Sequence, residues 1–196
     1  MKKDYVRKIT TCAMLSAVSA VLMFFSFSVP LMPGFIKFDF SELPALLAAF
    51  ALGPVYGVVV CLVKNLINLF FTTTGGVGEF ANFLLGAMLV LPAGLIYKFK
   101  KDRIGALLGA VIGSAVMAVA SLPINYFITY PFYAAAMLPM ENIIAMYQAI
   151  NPKVETLLDC LLWFNVPFTF VKGIAVSLIT FLIYKPLSPI LKAKKA

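Results

Sequence analysis

Long apolar runs limit what this chain can become. They occupy residues 9–29, 55–71, 79–97, 104–128 and 161–184, with a shorter run at 43–52. Inside a bilayer every backbone N–H and C=O has to be satisfied within the segment, so a crossing helix needs about 20 apolar residues. The chain is 62% hydrophobic and 12% charged over 196 residues, whereas a soluble domain is about half apolar and about a quarter charged. An all-α membrane protein follows. It is read as a single integral domain, 1–196, with six transmembrane helices at about 9–29, 42–53, 54–71, 79–97, 104–128 and 161–184.

Charge then orients the spans. The net charge of +8 comes largely from three clusters: Lys2, Lys3, Arg7 and Lys8; Lys98, Lys100, Lys101 and Arg103; and Lys185, Lys192, Lys194 and Lys195. Each borders an apolar run, the pattern of cytoplasmic loops. Twelve of the sixteen basic residues thus fall inside, and six of the eight acids (Asp39, Glu42, Glu79, Glu141, Glu155, Asp159) fall on the other side. Six spans with both termini inside satisfy this bias, leaving the loops 30–42, 72–79 and 131–160 outside. Clusters arranged this way argue against nucleic acid as a partner.

The first run exceeds the apolar core of a secretory signal and lacks a convincing cleavage site, so it is read as a retained helix. Ala13 and Ala17, like Ser16 and Ala20, are four residues apart and share a helical face. Small residues so placed let a second helix approach closely in lipid. That helix belongs either to this bundle or to a separate membrane subunit, and the residues alone favour the former. In the fifth span Gly105, Gly109 and Gly113 point to close packing within the bundle.

Residues 35–54 combine alternating aromatics with Lys37, Asp39 and Glu42, then turn apolar up to the breaker Gly53-Pro54. Too charged for lipid and too aromatic for a plain loop, this stretch is expected to cap a small-molecule pocket at the outer mouth. Asp39 and Glu42 are expected to fix the loop and cap the second helix. Within 131–160, Ile143, Ile144, Tyr147 and Ile150 form an apolar stripe at helical spacing, the mark of an interfacial helix or lid.

Polar residues inside apolar spans face an interior or a cavity. In the sixth span Asn165, Thr169 and Lys172 stand at i, i+4 and i+7, on one stripe. No acid lies in the core of a span, so a polar ligand is the expected partner of Lys172. Asn125, near the outer end of the fifth span, adds a donor and an acceptor. Phe35, Phe38, Phe40, Phe80 and Tyr126 are candidates for stacking. Lys64 is expected to pair with Glu79.

Chemistry is sparse. Histidine is absent, and Cys12, Cys61 and Cys160 lack metal-ligand spacing. Neither a Gly-x-x-x-x-Gly-Lys-Ser/Thr loop nor a Ser/His or His/Glu constellation is present, and no catalytic or metal-binding residue is assigned. The chain reads as a binder that borrows its energy. Its rivals are a stand-alone carrier and a membrane enzyme acting on a lipid or isoprenoid.

Five blocks carry a resemblance: Lys-Phe-Asp-Phe-Ser-Glu-Leu-Pro-Ala-Leu (37–46), Ala-Leu-Gly-Pro-Val-Tyr-Gly (51–57), Leu-Val-Lys-Asn-Leu-Ile-Asn (62–68), Gly-Glu-Phe-Ala-Asn-Phe (78–83) and Pro-Phe-Thr-Phe-Val-Lys-Gly (167–173). Together they resemble the riboflavin-specific S components of energy-coupling factor (ECF) transporters over essentially the whole chain. The resemblance implies a six-helix bundle in a bacterial-type cell membrane that takes riboflavin from outside as transported substrate, with no cofactor of its own. It implies docking on a transmembrane T component driven by two ATP-binding cassette ATPases, through the face carrying Ala13, Ala17 and Ala20. It also assigns the ligand set: Asn125 and Lys172, with Lys37, Phe35 and Phe38 of the lid segment and Asn82 of the fourth block. Where the family carries Asn after Pro-Phe this chain has Thr169, and Asn165, one turn earlier, is placed to compensate.

Overall fold

The computed structural model describes residues 2–191; Lys192, Lys194 and Lys195 of the expected basic tail lie outside them. Helix α1 (Lys2–Phe24) leads into two-residue strands, β1 (Phe27–Ser28) and β2 (Lys37–Phe38), paired antiparallel with Phe27 opposite Phe38. Then come α2 (Glu42–Ala51), α3 (Pro54–Asn68) with a 3-10 turn at Leu69–Phe71, and α4 (Val77–Phe99). Helix α5 (Arg103–Ile124) continues through a π turn (Asn125–Thr129) into α6 (Tyr130–Ala136). After α7 (Met140–Gln148), α8 (Leu157–Cys160) passes through a second π turn (Leu161–Asn165) into α9 (Val166–Leu191).

Five helical stretches among the described residues are long and apolar enough to cross a membrane. The sixth helix of the bundle, α2, has ten residues. At 1.5 Å per residue it covers about 15 Å, half a bilayer core. It is nonetheless the centre of the fold. Ala45, Leu46 and Ala48 are fully buried, within a core shared with α3, α4 and α9. The 42–53 span is therefore a half-length interior helix, stopped by Gly53 at φ 121° before Pro54.

Two boundaries differ from the sequence reading for one physical reason. The fifth span was expected to end at 128 and the sixth to begin at 161, yet continuous helix runs over Arg103–Ala136 and Leu157–Tyr184. Pro131 and Pro167, which lie within these continuous helices, each leave the carbonyl four residues earlier without its helical N–H. Those carbonyls, of Phe127 and Trp163, lie inside the two π turns, where a widened turn absorbs the defect.

The glycines of α5 act as expected. A Cβ on Gly109 would stand 2.7 Å from the Ala93 carbonyl oxygen, and one on Gly113 2.5 Å from that of Leu89. Only hydrogen permits so close an approach of α4 and α5. The stripe of α7 also turns inward. Ile143 and Tyr147 are buried with Val154, Cys160 and Leu161 in a second cluster that roofs the end of the bundle nearest the hairpin.

Candidate functional site

Beneath that roof lies a cavity of about 180 Å³. Seven of the eight expected ligand residues line it: Phe35, Lys37, Asn82, Asn125, Asn165, Thr169 and Lys172. The eighth, Phe38, stands behind the wall, its ring 6.2 Å from Phe168, which does line the cavity. Tyr126 and Phe80, expected to stack, are 40% and 50% exposed and face away. The π turn after α5 shifts the helical phase, so Tyr130 and Thr129 reach the cavity instead. Phe40 packs on Phe38 and Phe27 in the hairpin.

Lys172 is not waiting for a ligand to neutralise it. Its Nζ donates to Asp39 Oδ2 at 2.9 Å and lies 3.3 Å from Glu42 Oε2. The other Glu42 oxygen accepts from Lys64 Nζ at 2.8 Å, and Lys64 also donates to the Ser41 hydroxyl. Asp39 Oδ1 receives the Ser41 backbone N–H at 2.8 Å. Two lysines and two carboxylates, all under 10% exposed, thus form a closed neutral network. Burial pushes the Asp39 carboxyl up, but the ammoniums of Lys172 and Lys64, with hydrogen bonds from Lys172 and Ser41, outweigh it and hold the group well below the usual carboxylate range.

Two expectations fall here. Lys172 does have acid partners, and Lys64 pairs with Glu42 rather than Glu79. The hairpin folds Asp39 down into the bundle, and α2 starts inside it, so acids read as outer-loop groups become interior ones. Glu79 instead accepts from Thr72 and Thr74 at 2.8 and 2.9 Å, tying the 72–76 turn to the start of α4. Ammonium carries three N–H donors. With one given to Asp39 and Glu42 in ion-pair range, Lys172 keeps donor capacity for the cavity it lines.

A second polar unit was not legible in the sequence. Asn165 Nδ2 donates to the Tyr130 hydroxyl at 2.9 Å, Tyr130 and Tyr147 share a hydroxyl–hydroxyl bond, and Tyr147 donates to Asn165 Oδ1 at 2.7 Å. Tyr147 gives its one proton to Asn165, so Tyr130 donates to Tyr147, and the ring runs in one direction with every member satisfied. Burial, then the neighbouring Tyr130, pushes the Tyr147 hydroxyl far above its ordinary range and keeps it a donor. Phe35 sets its ring edge-on to both tyrosines at 6.1 and 6.0 Å. The ring leaves Asn165, which lines the cavity, one amide N–H uncommitted.

The cavity is thus lined by the buried polar side chains of Asn125, Asn165, Thr169 and Lys172, with Phe35 and Ile36 also in its wall. A larger cavity of about 500 Å³ lies at the opposite end, between the α2–α3 turn and the end of α4. Its polar side chains are Tyr56, Tyr97, Lys98 and Lys101, and it holds none of the expected ligand residues. On α1, Ala13 and Ala17 face outward while Ala20 is 3% exposed and packs inward. Ala20 therefore does not line an outward docking face.

Residues 7–184 match the family described as ECF transporter, substrate-specific component. The riboflavin transporter RibU of Staphylococcus aureus is 38% identical over 186 residues, covering 95% of this chain and 93% of its own. The riboflavin transporter FmnP of Bacillus subtilis is 27% identical and covers 97% of both chains. Among solved structures, the S component of a bacterial ECF transporter superposes with a TM-score of 0.75 at 35% identity, over 96% of this chain and 99% of that one.

Proposed function

This chain belongs to the substrate-specific components of ECF transporters, and from that premise we propose that it captures riboflavin in the cavity beneath residues 35–38. It is a multi-pass membrane protein and a transporter component, not an enzyme. One observation carries the riboflavin reading. Seven side chains from the segment before α2, α4, both π turns and α9, drawn from Phe35 to Lys172, converge on a single cavity. Relatives matched over more than nine-tenths of both chains are riboflavin transporters.

An isoalloxazine ring is flat, with a polar edge of alternating carbonyls and ring nitrogens. Asn125 supplies both a donor and an acceptor to that edge, Lys172 supplies a donor, and Asn165 or Thr169 assists. Pockets for ligands of this size measure about 300–1,000 Å³, so a cavity of about 180 Å³ admits riboflavin only when residues 35–38 move. Phe35, 36% exposed, is the gate. Energy comes from a transmembrane T component and two cassette ATPases. The bundle sits in the bacterial cell membrane with the Lys98 to Arg103 cluster at the cytoplasmic side, and Ala13 and Ala17 offer α1 to the T component.

Purified protein titrated into riboflavin should quench flavin fluorescence with one-to-one stoichiometry. Undiminished fluorescence at a large protein excess would reject the reading.

A further inference from the structure

We propose that Asn65 is a positioning residue for ligand recognition: it sets the amide of Asn82 so that this side chain offers the cavity N–H donors only. This rests on the reading of the cavity as the ligand site. The ligand group facing Asn82 is then an acceptor, such as a carbonyl, ring nitrogen or hydroxyl oxygen.

Helices α3 and α4 come close at Gly86, where an added Cβ would meet the Cys61 sulfur at 3.0 Å. One turn from each, Asn65 and Asn82 touch. Asn65 Nδ2 donates to the Cys61 carbonyl at 2.8 Å and to Asn82 Oδ1 at 3.2 Å. A backbone carbonyl only accepts, so the Asn65 amide cannot turn over without setting oxygen against oxygen. Its two N–H groups are both committed, and any Asn82 atom in front of them has to be an acceptor. The Asn82 oxygen is therefore held toward α3 and its NH2 lies on the other side of the amide. Asn82 lines the cavity, and this bond to Asn65 is its one hydrogen bond among the described residues.

An independent observation points the same way. Asn65 is 4% exposed, and its Oδ1 has no hydrogen-bond partner. Folded proteins rarely leave a buried polar atom unpaired. Leucine would fill similar volume between two membrane helices without that penalty. The arrangement makes sense when the donor pair of Asn65 is needed, and what it acts on is Asn82.

The test is a set of riboflavin titrations on N65L, N82A, the N65L/N82A double variant and N82D, with melting temperature followed in parallel. Each single variant should weaken binding by about tenfold, the scale of one hydrogen bond, and the double variant should bind like N82A. Aspartate at 82 keeps an acceptor for Asn65 but has no N–H, so N82D should lose about tenfold as well. Wild-type affinity in N65L, or losses that multiply in the double variant, would overturn the proposal. Should N65L fail to fold, N82D decides, and wild-type affinity there overturns it. The wild-type titration separates the two claims: without quenching the riboflavin reading falls, whereas quenching with silent variants removes only the role of Asn65.

Discussion

Lys172 Nζ and Asp39 Oδ2 stand 2.9 Å apart across 133 residues of sequence, joining the lid hairpin to the floor of the cavity. The lysine is therefore both a candidate ligand donor and half of a buried ion pair. Substitution has to separate the two roles.

Lys172→Ala should weaken riboflavin binding by about 1.5–3 kcal/mol, the scale of a charge-assisted hydrogen bond. It should also destabilise the fold by about 3–5 kcal/mol, because it strands a buried carboxylate. The D39N/K172M double variant removes both charges and leaves Lys64 with Glu42. Its melting temperature should recover most of the loss while flavin binding stays impaired. Recovery of binding as well would make the lysine purely structural.

The sign of the acid response follows from Asp39. Its carboxyl is held below the ordinary value of about 3.9, so its stabilising contribution is complete above that value. As pH falls from there through the folded value, the unfolded chain binds the proton first and the contribution is lost. Melting temperature in detergent should carry no Asp39 contribution to its pH dependence above about pH 5. D39N should flatten the decline below it, and an equally steep decline in D39N would assign acid sensitivity to another group.

Much of the site was legible because a polar side chain in an apolar span announces itself. Asn125, Asn165, Thr169 and Lys172 needed only hydropathy and helical spacing. What stayed hidden depended on geometry that hydropathy does not encode. Asp39 and Glu42 read as outer-loop acids until the hairpin returned them to the interior. Tyr130 replaced Tyr126 because a π turn four residues ahead of Pro131 and its missing N–H changed the phase of the helix. Helix α2 had the composition of a span at half the length, since protein rather than lipid surrounds it.

Tyr147→Phe should open the hydroxyl ring with Tyr130 and Asn165. Losing one donor leaves Asn165 Oδ1 unpaired, a loss of about 1–3 kcal/mol in stability. Adding Tyr130→Phe should cost less than its own single effect, since the ring is already broken. Denaturation by heat of the two single variants and the double variant measures the coupling, and strict additivity would mean the three groups act separately.

Gly113→Ala places a methyl group 2.5 Å from the Leu89 carbonyl oxygen and should destabilise by about 1–3 kcal/mol as α4 and α5 are forced apart. Gly34→Ala, where a Cβ meets nothing within 4 Å, is the matched control and should melt within a degree or so of wild type. Comparable losses in both would remove close helix approach as the reason for the glycine.

The most direct test of riboflavin capture in this cavity is an experimental structure of the protein with the vitamin bound. The isoalloxazine edge should lie within hydrogen-bonding distance of Asn125 and Lys172, with residues 35–38 displaced to cover it. Riboflavin seated in the larger cavity beside Tyr97 and Lys98, or on the outer surface with Phe35 still against Tyr130 and Tyr147, would contradict it.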